Sequence, residues 1–298
     1  MVGSLESPSD VDGLSGAAPD AAPAAALAAA PTLSFGAAAP AQPPAEACAR
    51  DVAVLLALWD ADDEFKWHFG GGADPLSYCK SLTSLPVAMG GLVALTTLDL
   101  RDCEDLTALP VAAIGRLAEL TTLHLGGCVN LTALPQTIGR LVALTTLNLR
   151  DCISLTALPQ TIGRLAALTA LDLRDSRSLT ALPQTIGRLA ALTTLNLRCC
   201  KSLTALPQTI GRLAALTALD LSCCESLTSL PVAMGGLVAL TTLDLNYCQS
   251  LTSLPEAIGR LRALTTLNMR YGCWLLTPLA GGDRAAQATA TTKATGGY

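Results

Sequence analysis

With 298 residues and 51% hydrophobic content, the chain is long and apolar enough to bury a large core. Its formal charge of −5 is carried by the front end: residues 1–81 hold 3 basic and 11 acidic side chains, residues 82–274 hold 14 and 12. A body so nearly neutral lacks the gathered Lys and Arg of a general nucleic-acid surface. Eleven cysteines in a chain of this length, with no positively charged apolar leader, do not describe a small secreted disulfide scaffold.

Residues 1–45 are mostly Ala, Pro, Ser and Gly, too poor in branched and aromatic side chains to offset chain entropy, and they predict a disordered leader. Pro23, Pro31 and Pro40 interrupt its alanines, so it reads neither as a signal peptide nor as a membrane span, and the expected location is the cytoplasm or the nucleus. Val52, Leu55, Leu56, Leu58 and Trp59 at helical spacing predict a helix over 46–60, within an N-terminal cap over 46–75 that covers the apolar end of the repeat array beginning at residue 76. The acidic run Asp60, Asp62, Asp63 and Glu64 lacks the twelve-residue loop spacing of a calcium site and reads as solvated surface.

Residues 76–276 are a solenoid of eight units. They begin at Leu82, Leu106, Leu131, Leu155, Leu179, Leu203, Leu227 and Leu251, spaced 24 residues apart except for the 25 from Leu106 to Leu131, where VAAIG replaces QTIG. In each unit a segment such as LTTLDLRDC places Leu98 and Leu100 on one side of a short strand, with Asp99 and Arg101 on the other. The strands should stack in parallel. LTALP then turns the chain, and QTIGRLAAL returns it through a 3₁₀ or brief helical turn. One unit buries too little to fold alone, so stacking is obligatory. Residues 277–298 are again of low complexity and predict a disordered tail.

The pattern LxxLxLxxC, LxxLP, IGxL resembles the leucine-rich repeat, and its LPxxIGxLxxLxxLxL form is similar to plant intracellular Ras-group-related proteins and to the repeat region of plant disease-resistance receptors. The resemblance implies an α/β solenoid, a horseshoe with a parallel concave sheet and short 3₁₀ or helical convex segments, that binds other proteins on its concave face. The receptors' phosphate-binding GxxxxGK[ST] loop does not occur in this sequence.

Three outward columns follow from the repeat. The first contains Asp99, His124, Asn148, Asp172, Asn196, Asp220, Asp244 and Asn268, and the second Arg101, Arg150, Arg174, Arg198 and Arg270. Neighbouring acid and Arg columns are expected to neutralise each other across the sheet. The third column ends in Cys199, Cys223, Tyr247 and Tyr271, and with Trp274 nearby the two tyrosines mark the carboxy-terminal half as a binding hot spot. The candidate partner-binding set is therefore Tyr247, Tyr271, Asp244, Asn268, Arg270, Asp220, Asn196, Arg198, Asp172, Arg174 and His124. Cys79, Cys103, Cys128, Cys152, Cys200, Cys224 and Cys248 recur at one repeat position, filled in one unit by Ser176, and read as a buried ladder rather than as metal ligands. Cys199 and Cys223 occupy the position beside it in adjacent turns, within disulfide range if the strands are in register. Arg116, Arg140, Arg164, Arg188, Arg212 and Arg260 form a solubilising row on the convex side.

No constellation for catalysis, cofactor or metal binding stands out from the repeat. The reading is a non-enzymatic signalling or defence scaffold that binds a protein partner, with no nucleic acid, no membrane span and oligomeric state open. A substrate-recognition adaptor of a larger enzyme complex is the alternative, ahead of an ice-binding Thr array or a purely structural solenoid.

Overall fold

The computed structural model describes residues 80–270. The expected leader, helix 46–60, cap and tail, and Cys79, Tyr271 and Trp274, lie outside the described residues. Eight three-residue strands, β1 (Thr97–Asp99), β2 (Thr122–His124), β3 (Thr146–Asn148), β4 (Ala170–Asp172), β5 (Thr194–Asn196), β6 (Ala218–Asp220), β7 (Thr242–Asp244) and β8 (Thr266–Asn268), form one open parallel sheet in sequence order. Like pairs with like: Leu98 faces Leu123, Leu147 faces Leu171, and so on to Leu243 and Leu267. The 25-residue step does not disturb this register, because Asp99 still pairs with His124. Its extra residue is absorbed on the return side, where Val111–Ile114 is a turn of α-helix (α1) and the other return segments, from Val87–Gly91 to Glu256–Arg260, are 3₁₀ turns.

Each return segment starts after a proline in extended conformation, for example Pro183 at φ −67° and ψ 150°, and the 3₁₀ turn opens with Ile186 N–H donating to the Pro183 carbonyl. The isoleucine of that turn and six leucines of its unit, Leu179, Leu182, Leu189, Leu192, Leu195 and Leu197, are fully or almost fully buried. Three hydrogen-bond ladders then tie one turn to the next. The Cys128, Cys152, Cys200, Cys224 and Cys248 thiols donate to the carbonyls of Leu100, Leu125, Leu173, Leu197 and Leu221 at 3.1–3.2 Å. Ser176 makes the same bond to Leu149, which is why a hydroxyl fits among thiols. Thr hydroxyls form the second ladder beside the strands, from Thr121 onto Thr96 through Thr265 onto Thr241. The third lies on the return side, where Thr161, Thr185 and Thr209 donate to Gln136, Gln160 and Gln184. The regular Thr rows thus have a structural occupation.

The return segments approach so closely that a side chain is excluded at their glycine. A Cβ on Gly139 or Gly163 would lie 2.5 Å from the carbonyl oxygen of Thr161 or Thr185 in the next turn, and one on Gly211 would overlap the Ala233 carbonyl. A Cβ on Gly259, in the last described turn, would meet nothing within 4 Å among the described residues. Gly211→Ala should therefore cost about 1–3 kcal/mol through overpacking, whereas Gly259→Ala should be neutral or add up to about 1 kcal/mol by restricting the unfolded chain. Urea midpoints of the two variants check this, and equal losses would refute it.

Candidate functional site

The sheet face is built by a device that recurs at six strand ends. In β1 and in β3 to β7 the strand's last residue, Asp or Asn, folds its side chain back so that Oδ1 accepts the backbone N–H two residues on: Asp99 from Arg101 at 3.0 Å, Asn148 from Arg150 at 2.9 Å, Asp172 from Arg174 at 3.1 Å, Asn196 from Arg198 at 3.0 Å, Asp220 from Ser222 and Asp244 from Asn246 at 2.9 Å. The next-but-two residue is left-handed, with φ of 55–61° at Asp102, Asp151, Asp175, Cys199, Cys223 and Tyr247 and 78° at Gly127. Its N–H donates to the following strand's carbonyl, as Asp175 does to Arg198 at 2.8 Å and Cys199 to Ser222 at 2.7 Å. Every described member of the third column is thus committed to a backbone conformation that suits Gly and Asp better than Tyr.

The acid and Arg columns pair along a strand, while Lys80–Glu104 and Lys201–Glu225 join neighbouring turns. Arg174 Nε lies 3.0 Å from both carboxylate oxygens of Asp172 and Nη2 lies 2.7 Å from Oδ2; Arg101 forks onto buried Asp99 in the same way. The acid and Arg columns thus neutralise each other as expected, and do so within one strand, because in-register stacking sets Arg beside Arg and Asp beside Asn while the two-residue pleat puts i and i+2 on one side. The Asp172 hydrogen bond, partly offset by desolvation, raises the Arg174 pKa. A cleft of about 350 Å³ opens in the middle of this face, lined by Arg150, Arg174, Asp175, Asn196, Arg198 and Asp220. Arg198 has its pKa raised chiefly by the charge of neighbouring Cys199, with Cys223 and Asp220 contributing.

The structure brings Asp172, Arg174, Asn196, Arg198 and Asp220 together at this cleft or its wall. Asp220 and Asp244 stand directly opposite each other in β6 and β7, Ser222 Oγ donates to Asp220 Oδ1 at 2.6 Å, and Asn268 Nδ2 to Asp244 Oδ2 at 2.9 Å. Arg270 is exposed and its N–H donates to Asn246 Oδ1 at 2.6 Å. Tyr247 is 45% exposed beside them, and Tyr271 lies outside the described residues. His124 stands apart at the other end: it interrupts the Asp/Asn series, and its Nδ1 is buried without a hydrogen-bond partner. Cys199 and Cys223 are half-buried free thiols, Cys223 with a pKa pushed up to about 11 by burial and then by the hydrogen bond and charge of Cys199. The return-side Arg row, Arg116 to Arg260, is solvent-facing, each side chain half-buried or exposed. Sequence reasoning missed the left-handed column; the signal was the Asp, Gly and Cys recurring one place before the buried thiol.

Among the described residues no group of three or more His, Cys, Asp or Glu could hold a metal ion, and no helix is long and apolar enough to cross a membrane. No curated protein matches the chain in sequence. Residues 136–228 match a model described as a leucine-rich repeat region, and residues 239–261 one described as a leucine rich repeat. Among solved structures, a leucine-rich repeat protein of Leptospira interrogans is 32% identical over 65% of this chain and 53% of that one, with a TM-score of 0.50. The leucine-rich repeat domain of the type III effector XopL is 31% identical over 62% of this chain and 64% of that one, with a TM-score of 0.55. The chain thus spans between half and two thirds of the length of these two. Proteins built of such repeats are in general interaction modules rather than enzymes. The in-register sheet, the 3₁₀ returns, the thiol ladder and these matches identify the chain as a leucine-rich repeat protein.

Proposed function

We propose that this protein is a recognition scaffold for intracellular signalling or defence that binds a protein partner on its sheet face, chiefly in the carboxy-terminal half. The observation that carries the reading is Tyr247: a bulky aromatic side chain held at φ 61° and 45% exposed, where the other described turns use Asp, Gly or Cys. An outlier of that kind is retained where it serves binding, and exposed tyrosines anchor interfaces. The partner's chemistry follows from the column beside it. In β1 and β4 the strand carboxylate is covered by an Arg two residues on, but the turns of Asp220 and Asp244 carry Ser222 and Asn246 instead. The Arg174–Asp172 fork supplies the template for a partner's Arg or Lys over Asp220 and Asp244, next to the Tyr247 ring. The plant-like LPxxIGxL repeat form supports the signalling or defence setting.

Peptides selected from a displayed library on the purified protein should be enriched in Arg or Lys. Asp220→Asn with Asp244→Asn keeps the Oδ1 acceptor, as Asn148 and Asn196 do naturally, and should weaken binding by about tenfold or more. Tyr247→Ala should weaken it by about 30-fold. Binding unchanged in both variants would sink this reading.

A further inference from the structure

Among the described residues the cysteines fall into two chemically distinct sets. The ladder thiols Cys128, Cys152, Cys200, Cys224 and Cys248 are fully buried, and each S–H is engaged by a main-chain carbonyl. Reagents in solution cannot reach them without unfolding, which is the usual fate of structural cysteines. Cys199 and Cys223 are partly exposed and stand on neighbouring turns whose strands pair in register, Asn196 with Asp220. Their backbones are nearly identical, φ 56° and 59°, so their Cα–Cβ bonds leave the chain in the same sense. Cys199 N–H donates to the Ser222 carbonyl at 2.7 Å, which fixes the two turns against each other at that point. Parallel strands lie about 4.8 Å apart, inside the roughly 4.4–6.8 Å between Cα atoms that a disulfide spans.

From this geometry we propose that Cys199 and Cys223 are a thiol oxidation site that closes to an intramolecular disulfide by exchange with a low-molecular-weight disulfide. One thiol gives up its proton and its sulfur attacks a sulfur of the reagent R–S–S–R; that S–S bond breaks, and the leaving sulfur takes the proton as R–SH. The second protein thiol, losing its own proton, attacks the protein sulfur of the mixed disulfide and releases a second R–SH. Two protein thiols are oxidised by two electrons while one reagent disulfide is reduced to two thiols. The bridge forms on the sheet face beside Arg198 and does not depend on the partner proposed above.

The test uses the full chain, reduced and then incubated with oxidised glutathione as the probe. In the expected product the tryptic peptides 199–201 and 213–260 are joined, have together lost two hydrogens, carry no glutathione and separate in dithiothreitol, whatever forms on Cys48, Cys79 and Cys273. Cys199→Ser and Cys223→Ser should each abolish that link and leave one glutathione adduct on the remaining thiol, whereas Cys200→Ser should close like the parent. Cys199→Asn, suited to the left-handed turn, gives the same readout should the serine variant fold poorly. Stable glutathione adducts on both thiols of the parent, chain-to-chain dimers, failure to react, or a link that survives in the Cys199 and Cys223 variants would each overturn the proposal.

Discussion

Raising the pH from 8 to 11 should unfold this protein far more steeply than its few lysines and tyrosines would require. Burial pushes the ladder thiols up: Cys152 and Cys200 to about 12, and Cys128 and Cys224 higher still, against the ordinary thiol value. In the unfolded chain the same thiols ionise near pH 8.5. Above that pH the unfolded state binds fewer protons than the folded one, so stability that is fully present below it is lost progressively until the folded thiols themselves ionise. Each thiol contributes up to about 1.4 kcal/mol per pH unit in this window, and the four together about 5. Urea midpoints between pH 7 and 11 measure the slope. A Cys152→Ser/Cys200→Ser double variant, which copies the hydroxyl already tolerated at Ser176, should remove about half of it. An unchanged slope in that variant would show that other groups are responsible.

Leu195→Ala should be the more damaging truncation of the pair Leu195 and Leu267. Leu195 is fully buried between its register partners Leu171 and Leu219, so removing its side chain leaves a cavity that neither neighbouring turn can collapse into, at a cost of about 3–5 kcal/mol. Leu267 holds the same repeat position in β8 but is only partly buried, and among the described residues it has one register partner, Leu243. Its truncation should cost about 1–2 kcal/mol, because in a stacked array each turn is stabilised by its nearest neighbours. Equal losses of denaturation midpoint would mean that β8 is covered as fully as the middle of the sheet.

The contrast between these two leucines also marks how far the sequence can be read. A 24-residue period with Leu two apart is sufficient for strand direction, register and the buried thiol ladder, since each follows from apolar spacing alone. Even the irregular step at Leu106 is legible as a longer return segment, and α1 is where its residue goes. The polar columns are legible as columns but not as to their work. Nothing in the letters Asp, Asn and Thr announces that Asp172 caps the Arg174 N–H or that Thr145 donates to Thr121; those bonds depend on the left-handed turn and on hydroxyl direction, which spacing does not encode. Asp172, Asn196, Asp220 and Asp244 therefore read from sequence as recognition or charge-neutralising residues, while in the structure they also serve as caps. Tyr247 is legible as a departure from the repeat, and its left-handed backbone adds the physical reason to single it out.

The 25-residue step bears on how such a molecule can change over generations. Since β1 and β2 stay in register while the surplus residue is taken up at Val111–Ile114, length on the return side and lettering on the sheet side are inherited independently. Residues 82–100 recur letter for letter at 227–245, so most of a turn can stand at either end of the array without a seam. A recombination event that adds or deletes one turn would slide the Tyr247 end by one strand spacing relative to the His124 end and leave the wording of each unchanged. The sheet face can thus be edited like a line of movable type, with the distance between its two distinctive ends as the quantity that selection can set.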